Sequence, residues 1–154
     1  MVEIVIKQSK SADTRSAEKI VEKDELLKSS KQHIADVKQA IEFMRDIMLE
    51  KANNHDFTKI KFINLFHSDF KEVQTSPNDN FKSKEWFKIH VNEERHHLND
   101  RCPEDVNLFD VLERIADITM AGLARTGSVY DDTLSTEILE KAYENTIELI
   151  KKNT

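Results

Sequence analysis

His55-Asp56-Phe57-Thr58-Lys59 lies between the helix-stopping pair Asn53-Asn54 and a new amphipathic run. Adjacent His and Asp point about 100° apart on a helix and seldom share one packing role. Where a helix begins, both can lean toward a single ion, and an imidazole nitrogen beside a carboxylate oxygen suits zinc, manganese or iron. Further ligands must then come from other segments, which requires several helices to converge on this stretch.

The flanking sequence supplies them. The chain has only two Gly and two Pro in 154 residues, and so little punctuation favours helices joined by short loops. Val2, Ile4 and Ile6 give a short strand-like alternation, and the polar residues 7–16 read as a loop or arm. Ala17 to Ser30 is helical in pattern but heavily charged, with Ile20, Val21, Leu26 and Leu27 apolar, and predicts a peripheral helix or contact arm. His33 to Lys51 predicts a stronger helix on Ile34, Val37, Ile41, Met44 and Met48, stopped by Asn53-Asn54, since Asn tolerates the left-handed conformation.

A helix from about Asp56 to Val73 follows, with Ile60, Ile63, Leu65 and Phe66 as packing candidates. Residues 75–80 form the clearest loop, and Ser83 is placed to cap a helix over roughly 84–98, with Glu85 in its first turn. Asn107 to Arg125 is the most apolar helix, closed by Thr126-Gly127-Ser128. The last helix, about 135–152, buries Ile138, Leu139, Ala142, Ile147 and Ile150. The expected fold is one all-α domain of six or seven helices, with residues 1–30 as an N-terminal arm and peripheral helix and 31–154 as the main body.

Composition narrows the function. A formal charge of −6 argues against coating a nucleic-acid backbone, although a bound metal can still attract a small phosphorylated ligand. Cys102 is the only cysteine, so no internal disulfide forms and a reducing compartment is expected; beside Pro103 it reads as unreactive. No apolar stretch approaches bilayer length and the start lacks a secretory layout, so a cytoplasmic protein without a membrane partner is expected.

The chain has six histidines. His33 opens one predicted helix and His55-Asp56 another. His90 and His97 lie seven residues apart on the helix over roughly 84–98, hence on one face two turns apart. Asp117 sits on the most apolar helix, after Asp110, Glu113 and Arg114, whose spacing also fits a solvated polar edge. His67 has no evident partner and reads as exposed. Two ligand sets emerge: His33, His55, Asp56 and Asp117, and a second using His90 with His97 or His96, with Asp56 as bridge. Helical phase favours His97 over His96. Two ions sharing a carboxylate would hold a water between them and lower its pKa. Lys59, one turn beyond Asp56, is placed to pair with a phosphate oxygen, and Arg125, Arg95 and Lys88 are further candidates for phosphate contact. Asp56 and Asp117 carboxyls more than about 8 Å apart would exclude a shared coordination sphere.

The order His33…His55-Asp56…His90…His96-His97…Asp117 resembles the HD-domain metal-dependent phosphohydrolases, whose helices gather His, His-Asp and Asp around one or two ions. His55-Asp56-Phe57-Thr58-Lys59 is similar to the His-Asp-x-Gly-Lys stretch of the cyclic-dinucleotide-hydrolysing branch, and His96-His97 resembles its doubled His. Ile115-Ala116-Asp117 and Arg125 are similar to its last HD helix. Trp86-Phe87-x-x-His90 followed by His96-His97 looks like a group of short HD-like proteins, many encoded by bacteriophages. The likeness covers roughly residues 30–126. Thr58 stands where the motif has Gly, and there is no Gly-Tyr-Pro stretch, so that branch's particular substrate is not carried over.

The resemblance implies an HD-like domain over residues 31–154, with one or two divalent ions (Mn, Fe, Zn, Co or Mg). The expected activity is hydrolysis of a nucleotide or other small phosphoester through a metal-activated water. A phage-encoded protein would act in the host cytoplasm. Two alternatives stand beside it: a di-iron oxygenase on the same ligands, and a non-catalytic binding module with a metal site. The charged arm, residues 7–30, motivates the module and would serve a homo-oligomer.

Overall fold

Lys23–Asn54 forms one uninterrupted helix, α1, where two were expected. The computed structural model describes residues 20–76 and 78–154. The strand-like residues 2–6 and most of the expected arm lie outside them. The expected boundary between residues 30 and 31 falls inside α1. Residues 29–32 interrupt the apolar stripe but contain neither Gly nor Pro. Ser30 Oγ instead bonds back to the Leu26 carbonyl at 2.8 Å, and Gln32 donates to Asp36 at 2.8 Å. Ile34 and Ile41 of this helix are exposed at 67% and 60%.

After α1 come α2 (Phe57–Lys61), α3 (Ile63–Thr75), a 3₁₀ turn (Phe81–Ser83), α4 (Glu85–Glu93), α5 (Leu108–Thr126) and α6 (Thr136–Lys151). The described residues are all-helical, without a strand, and none of their helices is long and apolar enough to cross a membrane. The chain divides into two compact units. One comprises, among described residues, 20–49 and 149–154; the other runs Glu50–Glu148.

Within the second unit, several local readings change. The helix expected over 56–73 breaks at Phe62 (φ −113°, ψ 34°), which separates α2 from α3 and leaves Ile60 and Ile63 exposed. Lys84, not Ser83, occupies the N-cap of α4 and supplies no side-chain cap. The buried Asp69 of α3 accepts the Trp86 N–H at 2.9 Å and so satisfies one of the orphan donors in the first turn. Trp86 stacks on Phe66 (ring centroids 4.0 Å apart), tying α4 to α3, with Phe81 packed beside both. α4 then stops at Glu93 instead of reaching residue 98.

Leu98, Val106, Val111 and Ala142 form a buried apolar core, flanked by Leu108, Leu134 and Ile138. α6 meets it with Ile138 and Ala142 of the expected stripe. Ala142 and Thr146 point inward, whereas Leu139 and Ile147 are exposed. Hydrogen bonds hold that face: Leu108 N–H donates to Thr146 Oγ1 at 2.8 Å, and Asn145 Nδ2 donates to the Val106 carbonyl at 2.9 Å. Asn107 and Asp110 start α5 with a capping box. Asp110 is fully buried and also accepts from Arg95 through both oxygens at 2.9 Å and from Lys51 at 2.6 Å. The spacing of Asp110 also fitted a solvated edge; it is instead the buried anchor of three segments.

Gly127 (φ 76°) closes α5, and the backbone of residues 128–130 then passes directly over Gly122. A Cβ at Gly122 would lie 2.5 Å from the Ser128 carbonyl oxygen and 2.7 Å from Tyr130 N. Arg114 holds the same segment by two 2.7 Å bonds to Asp132, and these keep the Asp132 carboxyl below its ordinary range.

Asp110→Ala should cost about 3–5 kcal/mol in urea unfolding, because it leaves the Arg95 and Lys51 charges without their shared partner. Asp132→Asn should lower stability at pH 7, and the gap to wild type should close as pH falls below about 4. A depressed carboxyl contributes above its unfolded pKa and loses that contribution on protonation. A gap that persists at pH 2–3 would show that the ion pair is not its source.

Candidate metal centre

Asp56 has φ 55° and ψ 25°, and among described residues it alone is left-handed without being Gly. The sequence reading placed that conformation at Asn53-Asn54; Asn54 instead bonds its side chain back to the Glu50 carbonyl at 2.9 Å. The left-handed backbone costs Asp about 1 kcal/mol or more, and it turns the chain sharply between α1 and α2. At this corner His55 Nε2 comes within 3.5 Å of Asp56 Oδ2. The Asp56 carboxylate is not used as a helix cap, so it remains available to other groups.

Other histidines arrive from α4 and the turn after it. His90, on the last turn of α4, places Nε2 3.6 Å from Asp56 Oδ1, and His96 Nε2 lies 3.6 Å from the same oxygen. His97 Nε2 meets His90 Nε2 at 2.8 Å. Since α4 ends before residue 96, the chain reversal at Glu94 brings His97 back to His90, and the helical-phase preference for His97 over His96 no longer applies. From α5, Asp117 comes 3.7 Å from His55 Nε2 and 4.0 Å from His96 Nε2.

Glu113, one turn before Asp117, orients two of these rings. His55 Nδ1 lies 3.1 Å from Glu113 Oε1, and His96 Nδ1 faces the same oxygen at 3.4 Å. Lys51 holds the other oxygen at 2.9 Å. Each ring therefore turns Nδ1 outward to a carboxylate and Nε2 inward, the outer arrangement typical of metal-ligating histidines. His97 follows the same pattern, with Nδ1 3.6 Å from Asp100.

The electrostatics keep the ligands in metal-binding form. Burial, reinforced by the neighbouring His97, pushes His90 down to about 3, and burial with His96 nearby lowers His97; both are neutral imidazoles at pH 7. Burial alone would raise Asp56, but its hydrogen bond and charge pairing with the Lys59 ammonium outweigh it and hold the carboxylate below its ordinary range. Burial likewise opposes ionisation of Glu113, yet His96, Lys51 and His55 bring it to about 2.

Three groups of ligand atoms lie within 4.8 Å of one another: Asp56, His90, His96 and His97; His55, His96 and Glu113; and His55, Asp56 and Asp117. Neighbouring ligands on an ion with 2.0–2.1 Å bonds sit about 3 Å apart, so modest closure of these distances suffices. Asp56 Oδ1 and His96 Nε2 are buried, 3.6 Å apart, and neither has a hydrogen-bond partner. An ion between them would satisfy both, so the residues present fit a divalent metal.

Not every expected residue reaches this place. His33 is exposed on α1, belongs to the other unit, and is in none of the three groups. Arg95 is committed to Asp110 and Asp105, which raise its pKa further, with Asp110 the larger cause. Arg125 is exposed in the last turn of α5, eight residues beyond Asp117, and Lys88 is exposed on α4. Lys59 pairs with Asp56 Oδ2. Sequence reasoning missed Glu113 and Lys51. Glu113 stands four residues before Asp117 and therefore on its face of the helix, a signal that was available.

Trp86, the only tryptophan, stacks on His90 with ring centroids 4.5 Å apart. Co²⁺ or Cu²⁺ should therefore quench intrinsic fluorescence saturably. Asp56→Ala and His96→Ala should shift the midpoint at least tenfold, whereas His33→Ala should leave it unchanged. An unshifted midpoint in Asp56→Ala would place the ion elsewhere.

Comparison of the chain with protein-family models, with curated proteins and with solved structures finds no match.

Proposed function

We propose that the chain is a metal-dependent phosphohydrolase acting on a nucleotide or another small phosphoester. The observation that supports this most is the set of four imidazoles and Asp117 gathered around Asp56, with Lys59 at its open edge. The order of these residues along the chain also resembles the HD superfamily. A bound divalent ion would supply Lewis acidity and lower the pKa of a water toward neutrality.

The chain's own residues would do the rest. Asp56 offers its two oxygens in different directions, Oδ1 toward His90 and His96 and Oδ2 toward His55. It is thus the natural bridge between the set of His90, His96 and His97 and the set of His55 and Asp117. Glu113 and Asp100 hold imidazole rings so that Nε2 points inward. The Lys59 side chain is 40% exposed, and its ammonium pairs with Asp56. Once positive charge arrives beside Asp56, Lys59 is free to turn toward phosphoryl oxygens and stabilise their developing charge.

The bridging direction of Asp56 and the high imidazole count also suit two irons, which favours a di-iron oxygenase as the second reading. Metal content after aerobic purification separates the two, since the oxygenase requires iron.

Phosphate release should be detected for at least one member of a nucleotide panel supplied with Mn²⁺, Co²⁺, Mg²⁺ or Fe²⁺. Asp56→Ala should abolish it, and Lys59→Ala should lower kcat about 100-fold with metal content unchanged. Full activity in Asp56→Ala would remove the proposal.

A further inference from the structure

Thr58 is where the chain departs from His-Asp-x-Gly-Lys, and its side chain is fully buried. Its hydroxyl lies 2.7 Å from His90 Nδ1 and 2.7 Å from Glu94 Oε1. Its backbone N–H donates to the same carboxylate oxygen at 2.9 Å. A glycine would keep the backbone contact and lose the link to His90.

The hydroxyl has one proton to give, and a carboxylate only accepts. The Thr58 proton therefore points to Glu94, and the hydroxyl oxygen is left to accept from His90. His90 must then carry its own proton on Nδ1, which leaves the Nε2 lone pair to face His97 Nε2 at 2.8 Å and Asp56 Oδ1 at 3.6 Å. Glu94 is only 4% exposed and occupies the C-cap of α4. A negative charge at that end of a helix opposes the dipole, so burying a carboxylate there is a poor way to stabilise the helix. Its placement is understandable if the charge serves the imidazole.

We propose that Thr58 and Glu94 are a positioning pair that fixes the His90 tautomer and presents its Nε2 lone pair to the metal. This rests on reading the site as a metal centre. The hydroxyl transmits the carboxylate's charge to the ring, which raises the basicity of Nε2 as well as orienting it. Removing Glu94 alone would free the Thr58 proton to turn toward Nδ1, and the ring proton would move to Nε2, where it blocks the ligand position.

Co²⁺ titration of the full chain tests this, reading affinity and the visible ligand-field spectrum, with thermal unfolding of the metal-free protein recorded alongside. Thr58→Val keeps the shape of the residue and should weaken binding about 10- to 100-fold with an altered spectrum. Thr58→Ser should restore wild-type affinity and spectrum. Glu94→Met, which retains the hydroxyl but removes its acceptor, should bind as poorly as Thr58→Val. Wild-type affinity and spectrum in Thr58→Val or in Glu94→Met would overturn the pairing while leaving the metal centre standing. Failure of the wild-type chain to take up Co²⁺ would overturn both.

Discussion

Asp56 places a carboxylate among imidazoles whose outward nitrogens face other side chains, and the second unit is arranged to tolerate this. Glu113 and Asp100 take the Nδ1 sides of His55, His96 and His97, and Thr58 takes that of His90. What remains inside is a cluster of imidazole Nε2 atoms and carboxylate oxygens, with Lys59 as the cation beside them. Orphaned buried polar atoms such as Asp56 Oδ1 and His96 Nε2 cost about 1–3 kcal/mol each when nothing satisfies them. A ligand that binds only the folded chain would recover that cost and appear as added stability.

The supports for this cluster reach into the packing. α5 carries Asp110, Glu113 and Asp117 along its inner side, and each acid does something different. Asp110 caps the helix and clamps Arg95 and Lys51; Glu113 orients rings; Asp117 faces Nε2 atoms. Lys51 bridges the first two. The aromatic stack of Phe66, Trp86 and His90 links α3 to the cluster, so a change at His90 is felt in the packing as well as in the site.

Much of this was legible in the chain. Scarce Gly and Pro pointed to helices, and the separated His, His-Asp, His-His and Asp pointed to convergence; Asp56 and Asp117 both lie within 4.8 Å of His55. Other features were hidden for identifiable reasons. Asp110 and Glu113 resemble a solvated edge because charge at helical spacing looks the same whether it meets water or buried cations. The end of α4 carries no Gly or Pro; a tertiary bond donated by Thr58 to Glu94 accompanies it, and local propensity does not report such a bond. His33 looked like a ligand only by its place in the order, and α1 runs straight through the break that order needed. Thr146 is buried on α6 where Ile147 was expected, because Asn145 and Thr146 reach backbone groups, which hydrophobic spacing ignores.

Anomalous-difference diffraction from crystals equilibrated with Co²⁺ or Mn²⁺ tests the central claim most directly. The account predicts a peak within about 2.0–2.5 Å of Asp56 and of the Nε2 atoms of at least two of His55, His90, His96 and His97. Saturating ion with no peak beside Asp56, or a peak held only by exposed acids elsewhere, would contradict it.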